Sequence, residues 1–325
     1  MSELVIHPAQ MQALSSPTTE PDLNVFAVVV IYKLLLADSP TLRTLYQAAR
    51  LARSPRFNLH VRVVDNTPGG QDPAPLPPGF EYCASPENPG LARPYNEAWR
   101  VAERDGYRWF LTLDQDTDLP EYFFQALAGI VQEYDHVESV AAIVPHIVDR
   151  GRLIFPMRFI GGFLPKVVSA RTSGILGKHA SAPNSASLLR VSALRDVNGY
   201  DEAFPLHHSD VSLYLRLDKA GKCVVVANEI LVNHEFAIMD RGNRMSGDRY
   251  RSMLADERAF YDLHMGFLGR LERMVRLVGR VAKDLLRGQG GAFTSITLKE
   301  IWLRLITRRK DRLARLVPAQ HLPRV

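Results

Sequence analysis

The sequence predicts an α/β protein in which helices flank a sheet. Residues 25–32 form a continuous run of apolar, mostly β-branched side chains, which is typical of a strand buried on both faces. Segments with helical spacing alternate with such strands as far as residue 134, and Ser39-Pro40 introduces the first of them. Strands and helices that alternate in this way form a parallel sheet covered by helices.

Each element in the first half begins or ends at a local signal. Ser39 is an N-cap and Pro40 suits the first helical position. Residues 67–79 are rich in Pro and Gly and are predicted as a loop, and residues 88–90 form a turn. The predicted elements up to residue 134 are strands 25–32, 59–64, 82–84 and 108–113, and helices 40–52, 94–104 and 121–134.

The second half combines further strands with a long irregular segment. Residues 150–183 contain several glycines and are predicted as loops or a small hairpin. Ser192 is expected to cap a short helix, and Gly221 to end a longer one. The other predicted elements are strands 140–148, 187–191, 222–226 and 229–233, and helices 192–198 and 211–220.

From about residue 254 the pattern becomes helical and strongly basic. A second basic, amphipathic helix with Trp302 is predicted over residues 298–316. Residues 265–325 hold 14 Lys and Arg against 4 Asp and Glu, whereas the whole chain has a net charge of only +5. A basic tail on an acidic body indicates an anionic partner. On the helix that precedes the one at residues 298–316, the apolar residues recur three and four apart: Leu268, Leu271, Val275, Val278, Ala282 and Leu285.

Composition excludes several classes of protein. With 325 residues, 46% hydrophobic and 23% charged, the chain suits one large globular domain or two smaller ones. Cys83 and Cys223 are far apart and form no CxxC, so we expect neither a disulfide framework nor a zinc site, and a reducing compartment fits. We recognise no signal peptide, no apolar segment long enough to span a bilayer, and no dinucleotide or P-loop motif.

Three aspartates follow the strand at residues 108–113 at alternate positions. Asp114, Asp116 and Asp118 place negative charge at the carboxyl edge of the sheet, where open α/β sheets bind ligands. Such crowding is unfavourable without a cation, and Mg²⁺ and Mn²⁺ prefer oxygen ligands. The stretch therefore suggests a metal site, and a solvated acidic turn is the alternative. Asp118 has no assigned chemistry and is expected to cap the helix that begins near Pro120.

Several motifs in a fixed order resemble one family. They span about residues 25–236 and comprise the strand at 28–32, Val63-Val-Asp-Asn66, Asn88-Pro-Gly-Leu-Ala-Arg-Pro-Tyr-Asn96, Leu113-Asp-Gln-Asp116, Gly199-Tyr-Asp-Glu-Ala-Phe204, Ser209-Asp210 and the strand that ends in His234. In these the chain resembles family 2 glycosyltransferases of the GT-A fold, and among them the bacterial rhamnosyltransferase-like group. The resemblance implies a Rossmann-like, nucleotide-binding mixed sheet flanked by helices.

The resemblance also implies an inverting transfer of a sugar from a nucleotide-diphosphate donor to an acceptor hydroxyl. It implies that Asp116 binds Mn²⁺ or Mg²⁺ directly and that Asp114 contacts the donor ribose or the waters of the metal. His234 would be a further metal ligand, and a packed histidine at a strand end is the alternative. The metal would stabilise the charge that develops on the leaving diphosphate.

Asp210 matches the catalytic base of the family. A carboxylate can accept the proton of the acceptor hydroxyl as the new bond forms. The alternative is a helix N-cap, because Asp210 stands just before a predicted apolar helix. The acidic residue that usually precedes the base is Ser209 here, and His207 and His208 are unusual neighbours, which leaves acceptor recognition open.

The resemblance further assigns residues to the nucleotide-sugar pocket. Asp65 would accept a hydrogen bond from the pyrimidine base, although it could instead form a turn at the strand end. Tyr32 would border the same pocket, or be a core aromatic. Arg93 would pair with phosphate, or be a surface arginine. With Asp114, the residues implied to bind the nucleotide sugar are Tyr32, Asp65, Asn88, Gly90, Arg93 and Gln115.

The sequence departs from the family pattern at residues 184–186, where Asn-Ser-Ala replaces the usual Ser-Gly. Contacts to the donor sugar therefore stay open. The Asp-Gln-Asp motif favours a dTDP-rhamnose donor by resemblance, with UDP-sugars as the alternative. The acceptor expected from the resemblance is a glycan or a lipid-linked glycan in bacterial surface glycan synthesis, and a protein or a small molecule is the alternative. Arg241, Arg244 and Arg249 would close on the diphosphate, or belong to a solvated loop.

The predicted division of the chain has three parts. Residues 1–22 are a flexible leader, residues 23–255 a GT-A domain with halves at 23–120 and 121–255, and residues 256–325 a C-terminal helical extension. The helices within 267–317 would face an anionic membrane surface or a second copy of the chain. Nucleic acid is not expected as a partner.

The predicted location is cytoplasmic, with peripheral attachment to the inner face of the cell membrane as the alternative. A competing functional hypothesis is a catalytically silent protein of the same fold. Such a protein would serve as a binding partner or scaffold and act through its basic C-terminal helices.

Overall fold

A mixed β-sheet flanked by helices forms the centre of the protein in a computed structural model. The structure describes residues 23–52, 57–73, 75–234, 245–288 and 291–314. The predicted α/β class, with a mixed sheet between helices, is therefore confirmed. The predicted leader at residues 1–22 lies outside the described residues.

Four parallel strands make up one half of the sheet. They are β1 (Leu23–Ile31), β2 (Phe57–Asp65), β3 (Phe80–Ala84) and β4 (Trp109–Asp114). β1 lies between β2 and β4, and β3 pairs with β2. In these registers Ile31 lies opposite Asp65, and Val30 lies opposite Asp114. The strand ends therefore bring both aspartates to one edge of the sheet.

Helices cover both faces of this half. They are α1 (Pro40–Leu51), α2 (Ala92–Arg104) and α3 (Phe123–Tyr134). β1 is buried on both faces, as its apolar run predicts: Val25 and Ala27 pack in the same cluster as α1 and α3, whereas Phe26 and Val28 pack in the cluster that contains α2. Ser39 caps α1 as predicted, since its hydroxyl accepts a hydrogen bond from the backbone N–H of Leu42 at 3.3 Å.

The predicted capping role of Asp118 is wrong. Asp118 belongs to a two-residue strand, β5 (Thr117–Asp118), that pairs with the last residues of a long strand further along the chain. α3 begins only at Phe123, after an N-cap residue, Tyr122, whose side chain makes no capping hydrogen bond. The backbone pairing of residues 117–118 thus replaces the cap that the local sequence suggested.

The other half of the sheet is mixed. Its central strands are β6 (Val140–Asp149), β12 (Ser187–Arg190) and β13 (Cys223–His234). β12 runs antiparallel between β4 and β6, and β13 runs parallel to β6. The two strands predicted at 222–226 and 229–233 are one strand, β13, with a shift of register between Ala227 and Leu231. A β-bulge at this position accounts for the break between the two predicted strands.

Short elements fill the region predicted as irregular. They are β7 (Arg152–Phe155), β8 (Met157–Ile160), β9 (Leu164–Val167), β10 (Gly174–Leu176) and β11 (Ala180–Ser181). β8 and β9 form the expected hairpin. Two helices follow β12, namely α4 (Val191–Asp196) and α5 (Ser209–Lys219). Ser192 lies inside α4, whose N-cap is Arg190, so the predicted capping role of Ser192 is wrong.

Four helices end the described chain. They are α6 (Gly247–His264), α7 (Phe267–Leu286), α8 (Ala292–Ile306) and α9 (Arg309–Ala314). α6 begins earlier than the pattern predicts, because Ser246 caps it by accepting a hydrogen bond from the backbone N–H of Arg249 at 3.1 Å. The predicted boundary at residues 255–256 falls within α6, and the division into domains stays a prediction. No helix in the described ranges has the length and apolar content needed to cross a bilayer.

Candidate active site

The candidate site lies where β1, β2 and β4 end and where β13 ends beside β5. β4 ends in Asp114, and the tight turn after it leads into β5. In the β5–β13 pairing Thr117 lies opposite His234. This antiparallel pairing brings together two segments that are more than a hundred residues apart in the chain.

Two aspartates surround a buried histidine at this edge. Asp116 Oδ1 lies 3.6 Å from His234 Nδ1, and Asp114 Oδ2 lies 3.9 Å from His234 Nε2. His234 is buried, whereas nearly half of the Asp116 side chain is exposed and can be approached from solvent. The structure therefore brings together the three residues that the resemblance implies for the metal and diphosphate.

The surroundings of Asp116 disfavour its negative charge. Burial of the carboxyl group raises its pKa above the ordinary value, and the neighbouring charge of Asp114 raises it further, although the imidazole of His234 opposes the shift. A carboxylate in this position would be stabilised by an added cation.

Two residues that the sequence did not single out hold Asp114 in place. The Ser185 hydroxyl donates to Asp114 Oδ2 at 2.5 Å, and the Tyr95 hydroxyl lies 3.3 Å from Asp114 Oδ1. Ser185 is fully buried and its Oγ also lies 3.5 Å from His234 Nδ1. The local signals were the departure at residues 184–186 for Ser185 and, for Tyr95, its place in the motif at residues 88–96. In the structure Ala186 adopts a left-handed backbone with φ +60.

Asp210 is the second residue of α5 and not its N-cap. The N-cap position is His208, which has a left-handed backbone and makes no side-chain capping bond. Asp210 Oδ1 accepts a hydrogen bond from the backbone N–H of Val211 at 2.7 Å. The carboxylate thus lies in the first turn of a helix, where a negative charge is favourable.

Burial nevertheless raises the pKa of Asp210 to about 6, and the negative charge of Asp114 contributes to this shift. The pKa values of Tyr95 and Tyr200 are raised first by burial and also by the charges of these two aspartates, so both carboxylates lie near the same tyrosines. Burial lowers the pKa of His207 and of His208 to about 4, so both are neutral at pH 7.

Asp65 organises its own loop. Its carboxylate accepts hydrogen bonds from the backbone N–H of Thr67 at 2.9 Å, the Gln71 amide at 3.0 Å and the Tyr82 hydroxyl at 2.9 Å. Burial of Asp65 would raise the pKa, but these hydrogen bonds outweigh it and the pKa is lowered. Asp65 is therefore an ionised, largely satisfied carboxylate that holds the start of the loop at residues 67–73.

The backbone of Tyr32 is hydrogen-bonded to the side chain of Gln115. The N–H of Tyr32 donates to Gln115 Oε1 at 2.7 Å, which ties the end of β1 to the turn after β4. The Tyr32 ring is exposed, so it does not belong to the core. The alternative of a core aromatic does not describe this residue.

Gly90 connects the two halves of the protein. Its backbone has φ +86, and a Cβ added there would lie 2.4 Å from the carbonyl oxygen of Pro205. The same carbonyl accepts hydrogen bonds from the N–H groups of Leu91 and Ala92, at 2.5 and 3.1 Å. Asn88, two residues earlier, is exposed and has φ +48. The turn at 88–90 therefore docks onto the loop that precedes Asp210.

Replacement of Gly90 by Ala is expected to destabilise the protein by about 2–4 kcal/mol, because the methyl group would meet backbone that cannot move aside. Gly106→Ala is the matched control. Gly106 also has a positive φ, +78, but nothing lies within 4 Å of its added Cβ, so we expect a cost of about 1 kcal/mol. Urea unfolding of both variants measures the difference. Equal losses would show that the contact with Pro205 contributes nothing.

Arg93 is not drawn into the site. It lies on the exposed surface of α2 and forms an ion pair with Glu97 at 3.0 Å. Among the arginines of the basic loop, Arg241 and Arg244 lie outside the described residues. Arg249 lies in the first turn of α6, close enough for its charge to lower the pKa of Asp116.

The protein ligands alone do not complete a metal site. Within the described ranges no group of three or more His, Cys, Asp or Glu side chains is arranged to hold a metal ion. The donor set still suits a hard cation, since Asp116 and His234 face each other and Asp116 is open to solvent. A cation here would take its remaining ligands from water and substrate phosphate, as Mg²⁺ commonly does.

Comparisons with known proteins identify no family. No family model matches the chain, and no curated protein matches its sequence. Solved structures with a similar arrangement include residues 1–349 of S. aureus TarS, which is 12% identical with a TM-score of 0.48 and covers 86% of this chain and 91% of its own. The same protein in complex with UDP-GlcNAc has 12% identity, a TM-score of 0.46 and the same coverage.

The mannosyltransferase PcManGT from Pyrobaculum calidifontis, in complex with GDP-Man and Mn²⁺, is also similar. It is 17% identical with a TM-score of 0.46, and the match covers 92% of this chain and 74% of that one. Similarities as weak as these do not indicate what this chain does, and the site itself is the basis for a function.

Proposed function

We propose that the chain is a glycosyltransferase that moves a sugar from a nucleotide-diphosphate donor to an acceptor hydroxyl. The observation that carries the proposal is the convergence of four residues. Asp114, Asp116 and His234 form a cluster suited to a cation and a diphosphate, and Asp210, with a raised pKa, lies near the same buried tyrosines. The carboxyl groups of Asp116 and Asp210 lie in different environments. This suits the two tasks of such a transfer, which are binding of the donor diphosphate and removal of the acceptor proton.

Asp116 and His234 would hold Mn²⁺ or Mg²⁺ together with the donor diphosphate. When bound, the cation would offset the charge that develops on the leaving diphosphate. Ser185 and Tyr95 keep the Asp114 carboxylate oriented beside them, where it would contact the donor ribose or a metal-bound water.

Asp210 would act as the base. As the acceptor oxygen attacks the anomeric carbon, its proton passes to the Asp210 carboxylate. The bond between that carbon and the diphosphate oxygen breaks, and its electron pair leaves with the diphosphate. Attack from the face opposite the leaving group inverts the anomeric carbon. A pKa of about 6 keeps Asp210 ionised at pH 7 and makes it a stronger base than an ordinary carboxylate.

The nucleotide would lie along the ends of β1 and β2. Tyr32 offers an exposed ring beside Gln115, and the loop organised by Asp65 would face the pyrimidine base. Because Asp65 already accepts three hydrogen bonds, a base N–H would either take a remaining lone pair or displace Gln71. Asn88 and Gly90 would line the pocket through their turn, and Arg93 would have to leave Glu97 to reach a phosphate.

The donor favoured by the sequence resemblance is dTDP-rhamnose, with a UDP-sugar second. The acceptor would be a glycan or a lipid-linked glycan, in the synthesis of a bacterial surface polysaccharide. The Asp-Gln-Asp motif supports the donor, and the family resemblance as a whole supports the acceptor.

A thermal-shift screen of nucleotide sugars with Mn²⁺ tests the proposal. We expect a true donor to raise the melting temperature of the wild type and to lose most of that effect in Asp116→Ala. Hydrolysis of the same donors is measured in parallel. If no nucleotide sugar in a broad panel is bound or hydrolysed, the enzyme proposal is wrong and the silent scaffold replaces it.

A further inference from the structure

The long helix α7 exposes a stripe of apolar residues, although it also buries Gly269, Leu277, Val281 and Asp284 on its other side. The residues of the predicted stripe are all exposed to solvent: Leu268, Leu271, Val275, Val278, Ala282 and Leu285. A helix of a water-soluble protein normally turns this face to the core. The exposed stripe runs along nearly the whole helix, about five turns, and forms a larger apolar surface than scattered surface leucines would.

The opposite side of α7 is held inward by apolar contacts, since Leu277 packs in one cluster with Tyr250 and Leu254 of α6, and by arginines. Arg273, whose side chain is only 14% exposed, forms an ion pair with the buried Glu257 of α6. Arg280 donates to the Tyr250 hydroxyl at 2.7 Å. Arg273 and Arg280 therefore help to pack α7 against α6.

The next helix, α8, repeats the arrangement. Thr294, Thr297 and Glu300 are buried, and Arg304 reaches Glu257 at 3.0 Å and Glu300 at 2.7 Å. Phe293, Ile296 and Ile301 pack against the core cluster that contains Leu277. The other large apolar residues of α8 include four that are exposed to solvent, namely Leu298, Trp302, Leu305 and Ile306. α7 and α8 therefore combine an interior of apolar contacts and ion pairs with an exterior that carries exposed apolar stripes.

The exposed charges around these faces are almost all positive. Among the described residues 267–314, seven basic side chains are exposed, including Lys283, Arg287 and Lys299, against one exposed acidic side chain, Asp311. In a symmetric dimer the same patch meets itself, so these positive charges would repel. An anionic surface is complementary to both the charge and the apolar stripe.

We propose that α7 and α8 dock on the surface of an anionic phospholipid bilayer. The apolar side chains would enter the boundary between headgroups and acyl chains, and the lysines and arginines would contact lipid phosphates. Trp302 has the amphipathic ring that prefers this boundary. The inference uses only the C-terminal helices and does not depend on the proposed transferase activity.

Vesicle flotation of the full chain tests the proposal. The probes are vesicles of phosphatidylcholine mixed with phosphatidylglycerol and vesicles of phosphatidylcholine alone. We expect the wild type to float with the anionic vesicles, less so as salt is added, and to bind the neutral ones at least about tenfold more weakly. Failure of the wild type to float with either kind would overturn the proposal.

Matched variants separate this surface from general stickiness. The triple variant Leu271→Gln, Val278→Gln and Trp302→Gln should lower partitioning into anionic vesicles by at least about tenfold. The control variant Leu51→Gln, Ile175→Gln and Leu231→Gln changes side chains of similar exposure elsewhere on the protein, and should change it less than about twofold. Equal partitioning of the two variants would overturn the proposal.

Tryptophan fluorescence gives a second measurement that needs no variant. Of the three tryptophans, Trp99 and Trp109 are buried, whereas Trp302 is 64% exposed. Anionic vesicles should shift the emission of the wild type to the blue, and lipids brominated near the headgroup should quench it. A wild type that is dimeric by ultracentrifugation, gives no such shift and becomes monomeric in the triple variant would overturn the proposal in favour of an interface between copies.

Discussion

Substitution of Asp210 by Asn is expected to slow sugar transfer by about 10²- to 10⁴-fold, the contribution typical of a general base. The amide has the shape of the carboxylate and can still accept the hydrogen bond from Val211, but it cannot take up the acceptor proton. Donor binding should stay unchanged, because the diphosphate is assigned to the cluster around Asp116. Single-turnover rates and donor titrations of wild type and variant measure both effects.

The pH dependence of the wild type follows from the same group. Because burial raises the pKa of Asp210 to about 6, the base is ionised above that pH and protonated below it. We expect kcat/KM to be level above about pH 6 and to fall tenfold for each pH unit below it. An acid limb near the ordinary pKa of a carboxyl group would show that another residue, or an unshifted Asp210, controls the rate.

Stability supplies a control for the Asp210 variant. A raised folded-state pKa means that the folded protein favours the protonated carboxyl, so the stability from this group is full at acid pH and is lost as the pH rises through about 6. At pH 7 Asp210→Asn should therefore be more stable than the wild type, by about 1–2 kcal/mol. An inactive variant that also unfolds more easily would speak against this assignment.

Replacement of Asp116 by Asn is expected to lower transfer by at least about 100-fold, whereas Asp118→Asn should cost little. Asp116 lies 3.6 Å from His234 and is open to a ligand. Asp118, two residues on, is exposed at the end of β5, where only its backbone position is used in pairing with Asn233. The two variants remove the same charge from neighbouring positions, so they separate a specific contact from the general field of the site.

The readout is the transfer rate over a range of Mn²⁺ concentrations. For Asp116→Asn we expect both a lower maximal rate and a higher concentration of Mn²⁺ at half-maximal rate. Asp118→Asn should follow the wild-type curve. Similar losses in both variants would mean that the cluster acts only through its total charge, and the division of roles between the two aspartates would have to be abandoned.

Much of the parallel half could be predicted from local patterns. The run at residues 25–32 is apolar at every position because β1 is covered by helices on both faces, and Ser39-Pro40 begins a helix for reasons that lie within four residues. Strand ends carry the polar side chains Asp65 and Asp114, and parallel strands bring them to one edge. These features depend mainly on residues that are close together in the chain, so the sequence alone predicts them.

The details of the site depend on long-range pairing that no local pattern encodes. Ser185 lies beside Asp114 only because β12 runs antiparallel next to β4. The same is true of Asp118, for which the local sequence suggests a helix cap, whereas β13 recruits it into a strand. Local propensity is a weak preference, and tertiary pairing overrides it.

The sequence by itself determined the α/β class, the order of most elements, the acidic strand end and the amphipathic, basic C-terminal helices. Periodicity shows that α7 has an apolar face and a basic face, but not which of them meets the protein. Only the tertiary structure decided that, because Leu277 packs against α6 and Glu257 and Glu300 pair with arginines of α7 and α8, which leaves the longer apolar stripes outside. A buried carboxylate is costly unless it is paired, so the ion pairs of these two carboxylates help to set which side of each helix faces the protein.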